Sequence, residues 1–143
     1  MTRALGGTRG RFLPSLFLGD LVVVIIFTLL GMIEHGTARG ALSVLITAVP
    51  FLIAWVAIGL WLGVFWERAV TGVGPAVRSA ALAWLLTIPI AMQLRVLLLQ
   101  RGAPLLFAVV AFLLGAACLI AWRVAYTLLR RRFAHPGAAS SPE

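Results

Sequence analysis

ALSVLITAVPFLIAWVAIGLWLGVFW, residues 41–66, runs for 26 positions without a charged side chain. As a helix rising 1.5 Å per residue it would reach about 39 Å, more than the roughly 30 Å hydrocarbon core of a bilayer, so it can cross one with some tilt. Three further apolar runs flank it: 12–33, interrupted only by Asp20; 77–99, with Arg78 at its edge and Arg95 inside; and 103–129, with Arg123 near its far end. The stretches between them, Glu34–Gly40, Glu67–Ala76 with the turn-like TGVGP at 71–75, and Gln100–Gly102, are short enough to make consecutive helices antiparallel neighbours. The chain as a whole agrees. Of 143 residues 62% are hydrophobic and 11% charged, and mean hydropathy is +1.08, which excludes a water-soluble globular fold. The expected fold is all-α, an up-down bundle of four transmembrane helices over 12–129, with a basic segment at 1–11 and a basic, then disordered, tail at 130–143.

Charge gives the orientation. Twelve Arg and no Lys stand against Asp20, Glu34, Glu67 and Glu143, for a net charge of +8. Arg3, Arg9, Arg11, Arg68, Arg78, Arg130, Arg131 and Arg132 fall at one end of the spans, Arg39 and Arg101 at the other. By the positive-inside rule both termini are expected on the cytoplasmic side of the cell membrane. Trp61, Trp66, Trp122 and Tyr126 crowd towards that same end, as interfacial aromatics do. The arginines cap apolar runs and form no basic groove, so the partners expected are the lipid bilayer, with anionic headgroups at Arg130, Arg131 and Arg132, and no nucleic acid. Gly36-Thr37-Ala38 after the first run resembles a signal-peptide cleavage site, but the run is long for one and holds Asp20.

Several landmarks then fall into a pattern: Asp20 in the first span, Gly31, His35 and Gly36 at its outer end, Thr47-Ala48-Val49-Pro50-Phe51 followed by Trp55, and Pro89 with Arg95 in the third span. The pattern resembles the prokaryotic membrane family catalogued as domain of unknown function three thousand and fifty-four, over about Ser15 to Leu129. The resemblance implies a four-helix membrane protein and supplies no activity.

An ionisable side chain inside a membrane costs at least about 2.5 to 3.5 kcal/mol on insertion scales, so each one needs a partner. Asp20 and Arg123 lie roughly 12 and 9 Å from the cytoplasmic ends of their helices. If the first and fourth helices are neighbours, the two form an intramembrane ion pair, either fixing the register of the bundle or leaving Asp20 as a proton carrier. In the outer half, Arg95, Thr47, Glu34 and His35 are candidates for a pocket suited to an anion, a carboxylate or a lipid headgroup; the alternative is an Arg95 that snorkels to the interface. Pro50 and Pro89 sit at similar depth and are expected to kink their helices, with Trp55 and Trp84 as candidate walls of a midplane cavity. Gly59 with Gly63, and Ala111, Gly115, Ala117, Ala121 and Ala125, have the spacing of close helix contacts within the bundle or between subunits.

Catalytic and metal chemistry are poorly supplied. His135 lies in the tail, Cys118 has no base near it in sequence, and Gly72-Val73-Gly74-Pro75 lacks the Lys of a phosphate loop. No cofactor is predicted. The expected function is that of a non-enzymatic membrane protein, a homo-oligomer or a subunit packed on another membrane protein; the alternative is a small transporter or channel for an anionic or amphipathic molecule. A lipid- or pigment-binding subunit is a third class.

Overall fold

The computed structural model describes residues 10–37, 39–100, 102 and 104–134. Arg3, Arg9, Arg101, His135 and the rest of the tail expected to be loose lie outside the described residues. Four helices, α1 (Pro14–Glu34), α2 (Ala41–Leu62), α3 (Val73–Leu99) and α4 (Leu105–Ala134), are joined by short connections and a 3₁₀ turn at Glu67–Val70. All four are long and apolar enough to cross a membrane. α1 packs on α2 and α4, and α3 packs on α2 and α4, so the helices close into a ring of sequential antiparallel neighbours.

The ends of the helices depart from the expected limits for local reasons. α1 begins at Pro14, where a missing N–H costs nothing and the fixed φ suits a helix. α2 stops at Leu62, four residues short of Trp66, because Gly63 turns left-handed at φ 71° and the Val64 N–H donates to the Gly59 carbonyl at 3.0 Å. The chain from Gly63 on then runs beside the residues that precede α1: the Leu13 N–H donates to the Phe65 carbonyl at 2.9 Å and the Glu67 N–H to that of Arg11 at 3.0 Å. α3 starts at Val73, so the TGVGP stretch expected as a turn supplies its first residues, with Pro75 in the tolerant first turn. α4 continues to Ala134, which places Arg130, Arg131 and Arg132 on a helix rather than in a tail.

Both helix-interior prolines are passed without a break: α2 and α3 stay helical on each side of Pro50 and Pro89. The midplane between them is filled. Trp55 and Trp84 are fully buried with ring centroids 5.8 Å apart, and Phe27, Phe51 and Phe65 pack edge-on or stacked around them. The two tryptophans expected to wall a cavity are instead the core itself, since rings this large at facing positions occupy the space a proline bend would open. Gly115 makes the packing possible: a Cβ there would lie 2.2 Å from Trp84 Cζ2, while the indole Nε1–H donates to the Phe112 carbonyl at 3.1 Å. On α4 every fourth residue, Ala111, Gly115, Leu119, Arg123 and Thr127, is buried. Leu18, Val22, Ile26, Leu42, Ile53, Leu97 and Leu113 are exposed on the outside of the ring, the surface that hydrocarbon covers in a membrane-spanning bundle.

Candidate functional site

Two polar constellations interrupt the apolar interior, one towards each end. Nearer the arginine-rich end, Asp20 of α1 and Arg123 of α4 are both fully buried and joined as a bidentate pair: Arg123 Nε donates to Asp20 Oδ1 at 3.1 Å and Nη2 donates to Oδ2. The remaining guanidinium nitrogen, Nη1, donates to the Val64 carbonyl at 2.7 Å. That carbonyl is exposed by the left-handed turn at Gly63, so one arginine ties α1, α4 and the end of α2 together. Trp55 and Trp122 flank the carboxylate, and the guanidinium carbon lies 5.9 Å from the Trp55 ring centroid, within cation–π range. Gly19, beside Asp20, leaves room for the Trp122 ring, which a Cβ there would meet at 2.0 Å. Fork-to-fork geometry with all three guanidinium nitrogens bonded is how a buried pair offsets desolvation. It links α1 and α4 across the bundle.

Towards the opposite end all four helices line a cavity of about 300 Å³. α1 contributes Phe27, Thr28, Gly31 and Met32, its C-cap His35, α2 Thr47 and Phe51, α3 Arg95, and α4 Phe107, Val110, Ala111 and Leu114. Residues 28, 31, 32 and 35 and residues 107, 110, 111 and 114 each follow the i, i+3, i+4, i+7 rule for one helix face, so two stripes from α1 and α4 meet across the space. The Arg95 guanidinium carbon sits 4.6 Å from the centroid of the Phe107 ring. The Thr47 hydroxyl donates to the Ser43 carbonyl at 2.8 Å and that of Thr28 to Val24 at 2.9 Å. Both hydroxyl protons are thus spent on their own helices, and what the two oxygens can offer a ligand is lone pairs. Among the described residues the cavity combines a mostly aromatic and aliphatic wall with the hydroxyl oxygens of Thr28, Thr37 and Thr47, the His35 ring and the Arg95 guanidinium.

Of the outer residues singled out by sequence, the structure brings Arg95, Thr47 and His35 to one cavity and leaves Glu34 outside it. Glu34 is exposed at the end of α1, about 100° around the helix from His35, so one of the two can join the stripe at 28, 31, 32 and 35 and the other cannot. Phe107, which lies under Arg95, was not foreseen; nothing in the fourth span distinguishes it from its apolar neighbours. A second ion pair was also missed. Arg130 donates to Glu67 at 2.6 Å, the pair being 39% exposed on each side, and Arg131 donates to the Thr71 carbonyl at 3.1 Å. The Arg130 hydrogen bond holds the Glu67 carboxyl below the usual carboxylate range. In sequence these arginines registered only as orientation signals.

Among the described residues no three His, Cys, Asp or Glu side chains converge as metal ligands would. A search of curated proteins and of solved structures finds no match to this chain. The family model described as "Protein of unknown function (DUF3054)" matches residues 17–126, a stretch that takes in Asp20, Arg123 and the whole cavity beside Arg95. Four membrane-spanning helices in a closed ring and a match over that length lead to one conclusion: the chain belongs to the DUF3054 family.

Proposed function

We propose that this protein is a non-enzymatic membrane protein that binds a small amphipathic anion in the cavity of its outer half. The observation that carries the reading is Arg95 over Phe107 at a space of about 300 Å³ to which every helix contributes. Binding pockets for small molecules start at about this size and are largely apolar with a few placed polar groups. The matching ligand has an apolar body against Phe27, Phe51, Met32 and Leu114, and a carboxylate or similar anionic end at Arg95. A hydroxyl or amine on that body would donate to Thr47 or Thr28. The reading assigns no reaction and no cofactor; it places both termini in the cytoplasm on the arginine asymmetry, and the membrane in a prokaryotic cell as the family resemblance implies.

The test is binding of decanoate, against neutral decanamide, to the purified protein in nanodiscs. Decanoate is expected to bind better than the amide, and Arg95→Leu to weaken decanoate by roughly 10- to 100-fold while leaving the amide unchanged. Equal binding of both, or an Arg95→Leu variant that holds decanoate as well as the parent, overturns the proposal.

A second property is favoured by a separate observation. Ala117, Ala121 and Ala125 lie on the exposed side of α4 at four-residue spacing, where small side chains admit another helix closely. We infer an oligomer, or a partner membrane protein, on this face. Native mass spectrometry of gently extracted protein is expected to find more than one chain per particle, and Ala121→Trp to reduce it to one; a monomer before substitution removes the inference.

A further inference from the structure

At the arginine-rich end a second and larger opening, an open cleft of about 1000 Å³, lies where α2 ends and α3 begins. Trp61, Leu62, Arg68, Gly74, Arg78 and Leu82 are the lining residues that matter. We propose that this cleft holds the headgroup of an anionic phospholipid, its phosphate between Arg68 and Arg78 and its chains running along Leu62 and Leu82.

Four features lead to this occupant. The first is uncompensated charge. Arg123, Arg130 and Arg131 are engaged inside the protein with Asp20, Glu67 and the Thr71 carbonyl. Arg68 and Arg78, both exposed, take no ion-pair or hydrogen-bond partner among the described residues, and no acidic residue lines the cleft. The second is the helix end. α3 begins at Val73 with no side-chain cap and no acidic residue in its first turn, and Gly74 of that turn lines the cleft, so the positive end of the helix adds to the two guanidinium groups. The third is depth. Leu62 is the last residue of α2 and Leu82 lies ten residues into α3, which puts the arginines at headgroup level and the leucines below them in hydrocarbon.

The fourth is the apolar wall. Trp61 is 72% exposed at the level where tryptophans mark the membrane interface, and Leu62 and Leu82 present their side chains to the outside of the bundle. The Ser79 hydroxyl donates to the Ala76 carbonyl at 3.0 Å, leaving the guanidinium groups and the α3 N-terminus as the donors facing a phosphate. A free inorganic phosphate would use the arginines and leave the apolar wall and most of the volume empty, whereas a phospholipid uses all of them.

The experiment is native mass spectrometry of the full chain released from nanodiscs of phosphatidylcholine doped with phosphatidylglycerol. The parent is expected to retain one phosphatidylglycerol in preference to phosphatidylcholine. Arg68→Gln with Arg78→Gln should lower that preference roughly 25-fold, about fivefold for each guanidinium, while Arg132→Gln leaves it in place. The paired Arg→Lys replacements keep the charge and should keep most of the preference, which separates loss of the site from loss of the fold. Inorganic phosphate at millimolar concentration should not displace the lipid. Retention of phosphatidylglycerol in the double Gln variant, no preference over phosphatidylcholine in the parent, or displacement by inorganic phosphate overturns the proposal.

Discussion

At the scale of single residues, Arg123 is the side chain on which most depends. It has no water to return to if a partner is removed, because it and Asp20 are fully buried. Asp20→Asn keeps the shape and leaves the guanidinium uncompensated, so it is expected to cost about 3 to 5 kcal/mol, seen as a lower unfolding temperature or a failure to assemble in detergent. Asp20→Leu combined with Arg123→Met removes both charges and should recover much of that loss, because a buried pair is weakly stabilising against an apolar replacement of similar size. An Asp20→Asn protein with parental stability would show that the pair is no tie, and loss of a proton-dependent activity in that variant would make Asp20 a proton carrier. The pairing was legible in sequence once depth was counted from the helix ends. Its third member, the Val64 carbonyl, was not. That carbonyl becomes available only because α2 stops at Gly63, and nothing in the uncharged run 41–66 separates its helical part from the four residues that turn away.

At the scale of elements, the contacts between helices rest on a few places where a large ring meets a missing side chain. Gly115→Ala puts a methyl into the Trp84 ring at 2.2 Å, overpacking that is expected to cost about 1 to 3 kcal/mol; Trp84→Leu in the same chain should relieve it, and thermal unfolding of the single and double variants measures the coupling. If the two effects simply add, α3 and α4 do not meet through this pair. The far end of α4 is held differently. Glu67 has its carboxyl depressed by the Arg130 hydrogen bond, so its contribution is present above the ordinary glutamate value of 4.5 and is lost as pH falls through the lower folded value. The gap in unfolding temperature between the parent and Glu67→Gln should therefore be small at neutral pH, the pair being partly exposed, and close in acid. A gap that widens in acid would give the clamp the wrong sign. Helix number, order and antiparallel neighbours were readable from uncharged length and loop length. The limits of α2, α3 and α4 were not, because glycine, proline and arginine near an end are compatible with a stop or with another helical turn.

At the scale of the whole molecule, an apolar sequence conceals where the interior is open and where it is full. Arg95, Thr47 and His35 could be placed at one depth in advance, but the void beside them is set by four helix faces whose residues read as ordinary hydrophobic positions. The same blindness made Trp55 and Trp84 look like cavity walls when they are packed edge to face against each other. The order of groups along the bundle axis bears on binding against transport. The outer cavity ends on Phe27 and Phe51; both pack on Trp84, Trp84 packs on Trp55, and Trp55 adjoins Arg123, which is locked to Asp20. A polar solute would have to pass the Phe27 and Phe51 rings, the facing Trp84 and Trp55 rings and a closed ion pair, where the buried Thr87 hydroxyl is spent on the Ala83 carbonyl. The expected outcome in sealed proteoliposomes is saturable decanoate binding with no protein-dependent accumulation of decanoate inside beyond that of protein-free vesicles. Phe51→Ala thins the first layer, leaving Phe27, at a cost of about 3 to 5 kcal/mol; it should deepen the cavity and admit a longer carboxylate, yet still permit no flux because Trp84, Trp55 and the ion pair lie beyond. Protein-dependent uptake by the parent that Arg95→Leu abolishes would instead require the aromatic layers to part during turnover, and the protein would then be a transporter whose binding site is the outer cavity.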